Sequence, residues 1–562
     1  MGKSSSSTVG RAAKAAKEAD SAAETVPPPK SLREMTDLIA RQEAKLREGG
    51  GEAGQARQRK LGRLPVRERL ARLLDADRPI LELNLWAGYQ MYPEVGEVPA
   101  AGVVTGVGYV HRRPIVFVAN DATVKAGAFF PATSKKVLRA QRVAMRCNLP
   151  LVYLVDSAGV YLPMQDEIFP DEDDFGRIFR NNAVISAMGI PQFAAVMGNC
   201  VAGGAYLPVL SDKILMTAGS ELYLAGPALV KAAIGQVVSA EELGGARMHA
   251  QISGTVDFFE PDDESCLSRL RALIDLLPQA ASGCTSGTAV GAAPARPADD
   301  LYEIVSLDGR KEYDARDLLD CIVDRESLHE YKRDYGPTLV CAYAAVAGRK
   351  VGIVASQHRR TKSPAGELQI GGVIYHDSAD KAARFIMDCQ QSQLPIVFFQ
   401  DVTGFMVGRD SEQAGIIRAG AKLVNAVSNV TVPKITVIVG GSFGAGNYAL
   451  CGKAFDPTFI FAWPSAKYAV MGGAQAASTL LQLEQRQAER LGRKLTDPEI
   501  ARLREQITRE YERKTDIRYG AARGWVDAII APHQTRDVLI TALEVACRPP
   551  PPGGFRSGVF QV

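Results

Sequence analysis

The sequence is poor in the features that identify most cofactor-binding and metal-binding proteins. It has no C-x-x-C pair, no Cys/His cluster at zinc spacing and no H-E-x-x-H, so no metal site is expected. No G-x-x-x-x-G-K-[ST] occurs, which excludes a P-loop, and Gly441, Gly444 and Gly446 miss the G-x-G-x-x-G dinucleotide spacing. No G-x-S-x-G elbow has a plausible His and acid partner, and His249, His358 and His533 read as structural. Charge of one sign is also lacking. The net charge is +3 over 562 residues, too small for a broad basic surface, so nucleic acid is not an expected partner. No uncharged apolar run reaches the length of about 18 residues that a membrane helix needs, so no membrane association is expected. Cysteine is sparse and unpatterned. Nine residues without pairing motifs point to reduced thiols in an intracellular protein, serving mostly as small buried apolar side chains.

What is present is ordinary globular composition, 46% apolar and 23% charged. Residues 1–30 are rich in Ser, Ala and Lys and close on Pro27-Pro28-Pro29, which reads as a disordered arm. Residues 31–75 have helical spacing, with Arg67, Glu68, Arg69 and Arg72 on a charged face read as solvated surface. Residues 283–300 are Gly, Ser, Thr, Ala and Pro with almost no large apolar side chain, an interdomain linker by composition. The division is therefore an arm (1–30), a first domain (31–282), the linker, a second domain (301–550) and a tail (551–562).

Both halves run the same course. Leu149-Pro150 precedes a strand and Asp156-Ser157-Ala158-Gly159; Leu394-Pro395 precedes a strand and Asp401-Val402-Thr403-Gly404. Ile190-Pro191 then leads through an apolar strand to Gly198–Tyr206, and Val432-Pro433 does the same to Gly440–Tyr448. The offsets are 245 and 242 residues, and four ordered coincidences imply two copies of one α/β fold. Each copy ends its strand in a glycine-rich turn before a helix. Small residues there let two backbone N–H groups converge on one oxygen, an oxyanion hole. Two such holes fit a reaction in which two carbonyl oxygens gain charge.

The motifs in order resemble the carboxyltransferase (β) subunit of biotin-dependent acyl-CoA carboxylases, of the 3-methylcrotonyl-CoA or geranyl-CoA type. The resemblance rests on Arg67-Glu68-Arg69, Asn120–Lys125, Tyr153–Ser157, Phe175–Phe179, Ala202-Gly203-Gly204-Ala205-Tyr206, Leu224–Pro227 and Leu229–Ala232. It continues through Ser239–Gly245, Thr403–Gly408, Gly444–Tyr448, Met471-Gly472-Gly473 and Gln475–Ala477, and covers about residues 60–545. It implies two tandem crotonase-like domains and an active site shared between opposite domains of two chains. Carboxybiotin would arrive on a separate biotin carboxylase/biotin carboxyl carrier α subunit, with a homohexameric core in the complex. The absence of Met-Lys-Met implies that biotin is not attached to this chain. The compartment implied is the cytoplasm of a bacterium or the mitochondrial matrix of a eukaryote.

By the same resemblance, Gly203 and Gly204 would supply amides to one oxygen, and Ala445 and Gly446 to the other. Coenzyme A, as part of the substrate, would lie on the first domain near Ala158, Gly159, Ala202, Ala205 and Lys125. Biotin would lie on the second near Thr403, Gly404, Phe405, Phe443, Gly444 and Tyr448. Lys135, Lys136 and Arg139 are further candidates for CoA phosphates, and Asp156, Asp401 and Arg409 for shaping the site. The family's Gly-Gly-Glu-Gln is Gly472-Gly473-Ala474-Gln475 here, which bears on the choice of substrate. Propionyl-, acetyl- or longer acyl-CoA substrates, a glutaconyl-CoA-type decarboxylase, a crotonase-type hydratase or isomerase, and a non-catalytic scaffold are the alternatives.

Overall fold

The computed structural model describes residues 28–168, 171–224, 226–278, 291–362, 366, 368–407, 409–470, 481, 484–485 and 496–548. Each half of the chain builds an eight-stranded sheet. In the first, β1 (Leu81–Leu83), β2 (Val103–Val110), β3 (Arg113–Asn120), β4 (Leu151–Ser157), β5 (Gln192–Val201), β6 (Lys213–Thr217) and β8 (Phe258–Glu260) lie side by side. A short strand, β7 (Glu221–Tyr223), continues along the end of β5. In the second, β9 (His329–Tyr331), β10 (Leu339–Val346), β11 (Arg349–Ser356), β15 (Ile396–Val402), β17 (Lys434–Phe443), β18 (Phe459–Ala462) and β20 (Ala528–Ile529) follow the same order, with β19 (Lys467–Ala469) at the end of β17. The remaining strands form two-residue ribbons, β12 (Thr361–Lys362) with β13 (Leu368–Gln369) and β14 (Val373–Ile374) with β16 (Gly404–Phe405).

The repeat read from the sequence is thus a repeat of structure. Each sheet opens with an antiparallel hairpin (β2–β3, β10–β11) and continues parallel. The buried parallel strands are near-continuous apolar runs because helices or loops cover both faces. The register slips once in each half: between Val155 and Ser157 where β4 meets β5, and between Gln400 and Val402 where β15 meets β17. The helix before each parallel pair starts alike. The Phe130 N–H donates to Thr133 Oγ1 at 2.9 Å, and the Tyr375 N–H to Ser378 Oγ at 3.0 Å.

The halves share a core: β4 and β5 residues pack in one cluster with β15, β17 and helix Thr535–Ala546. A buried ion cluster joins them. Arg139 donates twice to Asp527, at 2.8 and 2.6 Å, and Lys453 donates to it at 2.8 Å. Burial works to raise the Asp527 carboxyl, but Arg139 and Lys453 outweigh it and hold it below the usual carboxylate range.

The helical spacing over 31–75 becomes helices Leu32–Arg47, Gly51–Lys60 and Val66–Leu73, and further helices stand at Pro131–Cys147, Ala315–Asp320 and His376–Gln391. Capping boxes open the helices Ala240–Gly244, at Ser239, and Asp497–Thr515, at Thr496. Of the expected linker, residues 291–300 lie against the second half: Arg325 N–H donates to Ala293 O, and Arg296 pairs with Asp300 and Asp317. The arm up to residue 27, residues 283–290, the tail and the Gly472–Gln475 stretch lie outside the described residues. Seven of the cysteines are buried, as their small apolar side chains led one to expect. Among the described residues no helix is long and apolar enough to cross a membrane.

Candidate active site

The slip in register is what builds each turn. At the slip a carboxylate turns beneath the neighbouring strand: Asp156 beneath Gly198 and Asp401 beneath Gly440. A Cβ on Gly198 would lie 2.0 Å from Asp156 Oδ1, and one on Gly440 2.4 Å from Asp401 Oδ1, so only glycine fits above either carboxylate. Asp156 then accepts the Asn199 N–H at 3.2 Å and Asp401 the Gly441 N–H at 2.7 Å. The strand beyond is released into a helical turn, Ala202–Ala205 in the first half and Gly444–Ala449 in the second.

In the first half the turn faces the loop after β4. The Cβ that Gly204 lacks would lie 3.9 Å from Gly159 Cα. Phe129 and Val160 bridge in parallel, Phe129 N–H donates to Gly159 O and Ala158 N–H to Ala126 O, so the Lys125 loop is sewn to Ala158-Gly159. Lys125 itself is exposed and donates to Val95 O at 2.7 Å. Ala205 is buried, and Tyr206 is exposed with its ring 5.9 Å from that of Phe179.

In the second half β14–β16 is the counterpart of that bridge, and Thr403 N–H and Oγ1 both donate to Gly372 O. Gly446 sits deeper than Gly204. A Cβ there would meet Val402 Cγ2 at 2.7 Å and Gly404 Cα at 3.2 Å. Gly444 has φ +53° and its Cβ position lies 2.8 Å from Val470 O, so no other residue suits it. Ala445 is exposed at the tip, Phe443 is buried, Phe405 packs on Gly420 and Tyr448 is half exposed beside Phe455. Thr403, Gly404, Phe405 and the turn thus converge on one surface, as Ala158, Gly159 and the first turn do on another.

Two readings of the sequence need correction. Arg69 is not on a solvated face: it is 1% exposed and donates to Asp263 at 2.8 Å, to Asp156 at 3.3 Å and to Met197 O at 2.9 Å. Lys136 and Arg139 cannot reach a phosphate in solvent, because their helix turns both inward. Arg139 serves the Asp527 cluster, and among the described residues Lys136 donates to Ala100 O, at 3.1 Å. Burial pulls the Lys136 ammonium down to about 7. The serine of Gly440-Gly441-Ser442-Phe443-Gly444 is fully buried and donates to Gln400 Oε1 at 2.6 Å, so it is no nucleophile. His249 and His533 hold structural contacts, with Leu222 O and Tyr302 respectively.

Sequence reasoning underrated the two aspartates. The signal was there, since Asp156 and Asp401 stand 245 residues apart at the head of the repeated turns. Burial pushes the Asp156 carboxyl up, and Arg69 and Arg63 oppose that. The side chain of Arg409 lies outside the described residues.

Two tandem crotonase-like domains, each ending a central strand in a glycine-rich turn, are the architecture of a carboxyltransferase of the acyl-CoA carboxylase class. Residues 57–550 match the carboxyl transferase domain model, and the chain belongs to that family. It is 44% identical over 520 residues to the methylcrotonoyl-CoA carboxylase beta chain, mitochondrial, of Arabidopsis thaliana, covering 92% of this chain and 86% of that one. It is 44% identical over 515 residues to the biotin-dependent 3-methylcrotonyl-coenzyme A carboxylase beta1 subunit of Mycobacterium tuberculosis, covering 92% and 94%. The crystal structure of the beta subunit of P. aeruginosa geranyl-CoA carboxylase matches over 100% of both chains, with a TM-score of 0.80 at 33% identity.

Proposed function

We propose that the chain transfers a carboxyl group from carboxybiotin, carried on a partner α subunit, to 3-methylcrotonyl-CoA or a closely related acyl-CoA. The observation that carries the substrate is the identity of 44%, sustained over 92% of the chain, with two subunits named for that substrate. The chemistry fits the residues. The acyl-CoA loses a proton from carbon, charge gathers on the thioester oxygen, and the carbanion forms the new C–C bond. Biotin, when carried in, supplies the carboxyl group and a nitrogen that takes the proton. This chain then needs to hold two oxygens and exclude water, and backbone amides fixed by the fold do so without reorganising.

Gly203 and Gly204 serve the acyl-CoA oxygen, with Ala158, Gly159, Ala202, Ala205 and Lys125 around the substrate. Ala445 and Gly446 serve the urea oxygen, with Thr403, Gly404, Phe405, Phe443, Gly444 and Tyr448 around biotin. The tight seat of Gly446 against Val402 and Gly404, with no room for a Cβ, fixes its amide for the urea oxygen. Each turn is rimmed by exposed apolar side chains at matching places: Leu162 and Val407, Tyr206 and Tyr448, Leu224 and Val470. Such rims are apt for burial between opposite halves of two chains, within a hexameric core.

The test is a bicarbonate-fixation assay with ATP, on the chain coexpressed with its biotin-carrying partner, across acetyl-, propionyl-, 3-methylcrotonyl- and geranyl-CoA. The highest kcat/KM is expected for 3-methylcrotonyl-CoA. A preference for propionyl-CoA overturns the substrate, and no fixation with any ester overturns the function.

A further inference from the structure

The carboxylate under the second turn is held in a way that the sequence motif does not announce. Asp401 Oδ1 accepts the Gly441 N–H at 2.7 Å, and its Oδ2 accepts the Tyr313 hydroxyl at 2.9 Å. His358 Nε2 donates to Gly309 O at 3.2 Å, and its Nδ1 lies within ion-pair distance of the same Oδ2, 3.1 Å, without making a hydrogen bond to it. The His358 and Tyr313 rings stack at 5.0 Å with 14° between their planes. Tyr313 and Asp401 are buried. The two rings come from the stretch before helix Ala315–Asp320 and from the chain just after β11, so three separate segments meet on one carboxylate.

What Asp401 holds in turn is the turn itself. Gly441 is the last residue before Ser442, Phe443 and Gly444, and Val402, next to Asp401 in the chain, is the side chain against which Gly446 seats. A shift of Asp401 therefore reaches the amides of Ala445 and Gly446 by two routes, along β17 and through Val402. In the first half the equivalent carboxylate, Asp156, faces Arg69 and Arg63 instead.

We infer that His358 and Tyr313 are positioning residues for carboxyl transfer: they fix Asp401, which aims the second turn, while touching no reactant themselves. The inference rests on the function proposed above, in which that turn serves biotin and the first serves acyl-CoA. It therefore separates kcat from the KM for acyl-CoA. The assay uses the coexpressed complex with 3-methylcrotonyl-CoA. His358→Gln keeps an amide near the Nε2 position and abandons Asp401, whereas His358→Asn places its amide near the Nδ1 position, within reach of Asp401.

The expected result for His358→Gln is a kcat about ten-fold lower, the scale of lost support for a preorganised group, with KM for acyl-CoA within about two-fold. His358→Asn recovers most of that loss. Tyr313→Phe, which removes the hydroxyl that donates to Oδ2, repeats the kcat-only loss and serves if His358→Gln does not assemble. Wild-type kcat in an assembled His358→Gln complex, equal losses in the Gln and Asn variants, or a raised KM at unchanged kcat would each overturn the inference. A wild-type complex that fixes no bicarbonate overturns the proposed function, and the inference with it.

Discussion

The two turns are built on one plan and supported by different chemistry. Beneath the first lie Val155, Cys200 and Ala205, all in the apolar core. At the matching places beneath the second lie Gln400, Ser442 and Asn447, which form a polar chain. Asn447 Nδ2 donates to Ser442 Oγ at 2.7 Å, Ser442 Oγ to Gln400 Oε1 at 2.6 Å, and Gln400 Nε2 to Leu450 O at 2.7 Å. The carboxylates differ likewise. Asp156 is paired with a buried guanidinium, and Asp401 with a phenol and an imidazole. An apolar floor fixes a turn by packing and tolerates small slides, whereas a satisfied hydrogen-bond chain fixes it by direction. The second turn is accordingly the more exactingly aimed of the two.

The largest effect that would sharpen this contrast is on stability. Arg69→Met leaves Asp156 and Asp263 buried without their cation, and should cost roughly 3–5 kcal/mol in chemical denaturation, if the variant folds. A loss under about 1 kcal/mol would mean that Arg63 suffices. Next comes aim. Gly446→Ala forces a methyl against Val402 and Gly404, and turnover should fall roughly 100-fold, the price of displacing a reacting geometry by about 1 Å. Gly204→Ala, whose methyl would meet only Gly159 Cα at an ordinary contact distance of 3.9 Å, should lose far less; equal losses would break the comparison. Tyr313→Phe removes one bond to a carboxylate and should lower stability by about 1.5–3 kcal/mol, less than Arg69→Met.

The smallest effect concerns a pair of lysines that the repeat places alike. Lys136 and Lys381 are 245 residues apart, both buried, and burial lowers both. Lys136, at about 7 in the folded chain against 10.5 ordinarily, binds its proton less readily than the unfolded chain does between those values. Stability from this group therefore rises with pH across that window, and its cost is fully present below it. Lys136→Met should raise the melting temperature by a few degrees at pH 7, about 1 kcal/mol or more, with the gain fading toward pH 10. A gain that persists unchanged at pH 10 would show that packing, not charge, is responsible.

Much of this was legible in the sequence. Pro and Gly at fixed offsets marked the strand ends and turns, because strand-to-helix turns need residues of special backbone freedom whatever surrounds them. The duplicated fold and the small-residue pairs Gly203-Gly204 and Ala445-Gly446 followed. The inward direction of Lys136 and Arg139 was not legible, since a basic residue on an amphipathic helix reads as solvated unless a distant partner is known. Arg139's partner is 388 residues away. Nor could His358 be joined to Tyr313 and Asp401, which come together only when β11 and β15 pair.

The sequence by itself determined the two-fold repeat, the apolar strands and the glycines at each turn, because these depend on local backbone conformation and short-range periodicity. Only the tertiary structure decided which carboxylates lie beneath the turns and what holds each one. That choice depends on side chains far apart in sequence, whose charges are affordable in the interior only where the fold supplies a partner.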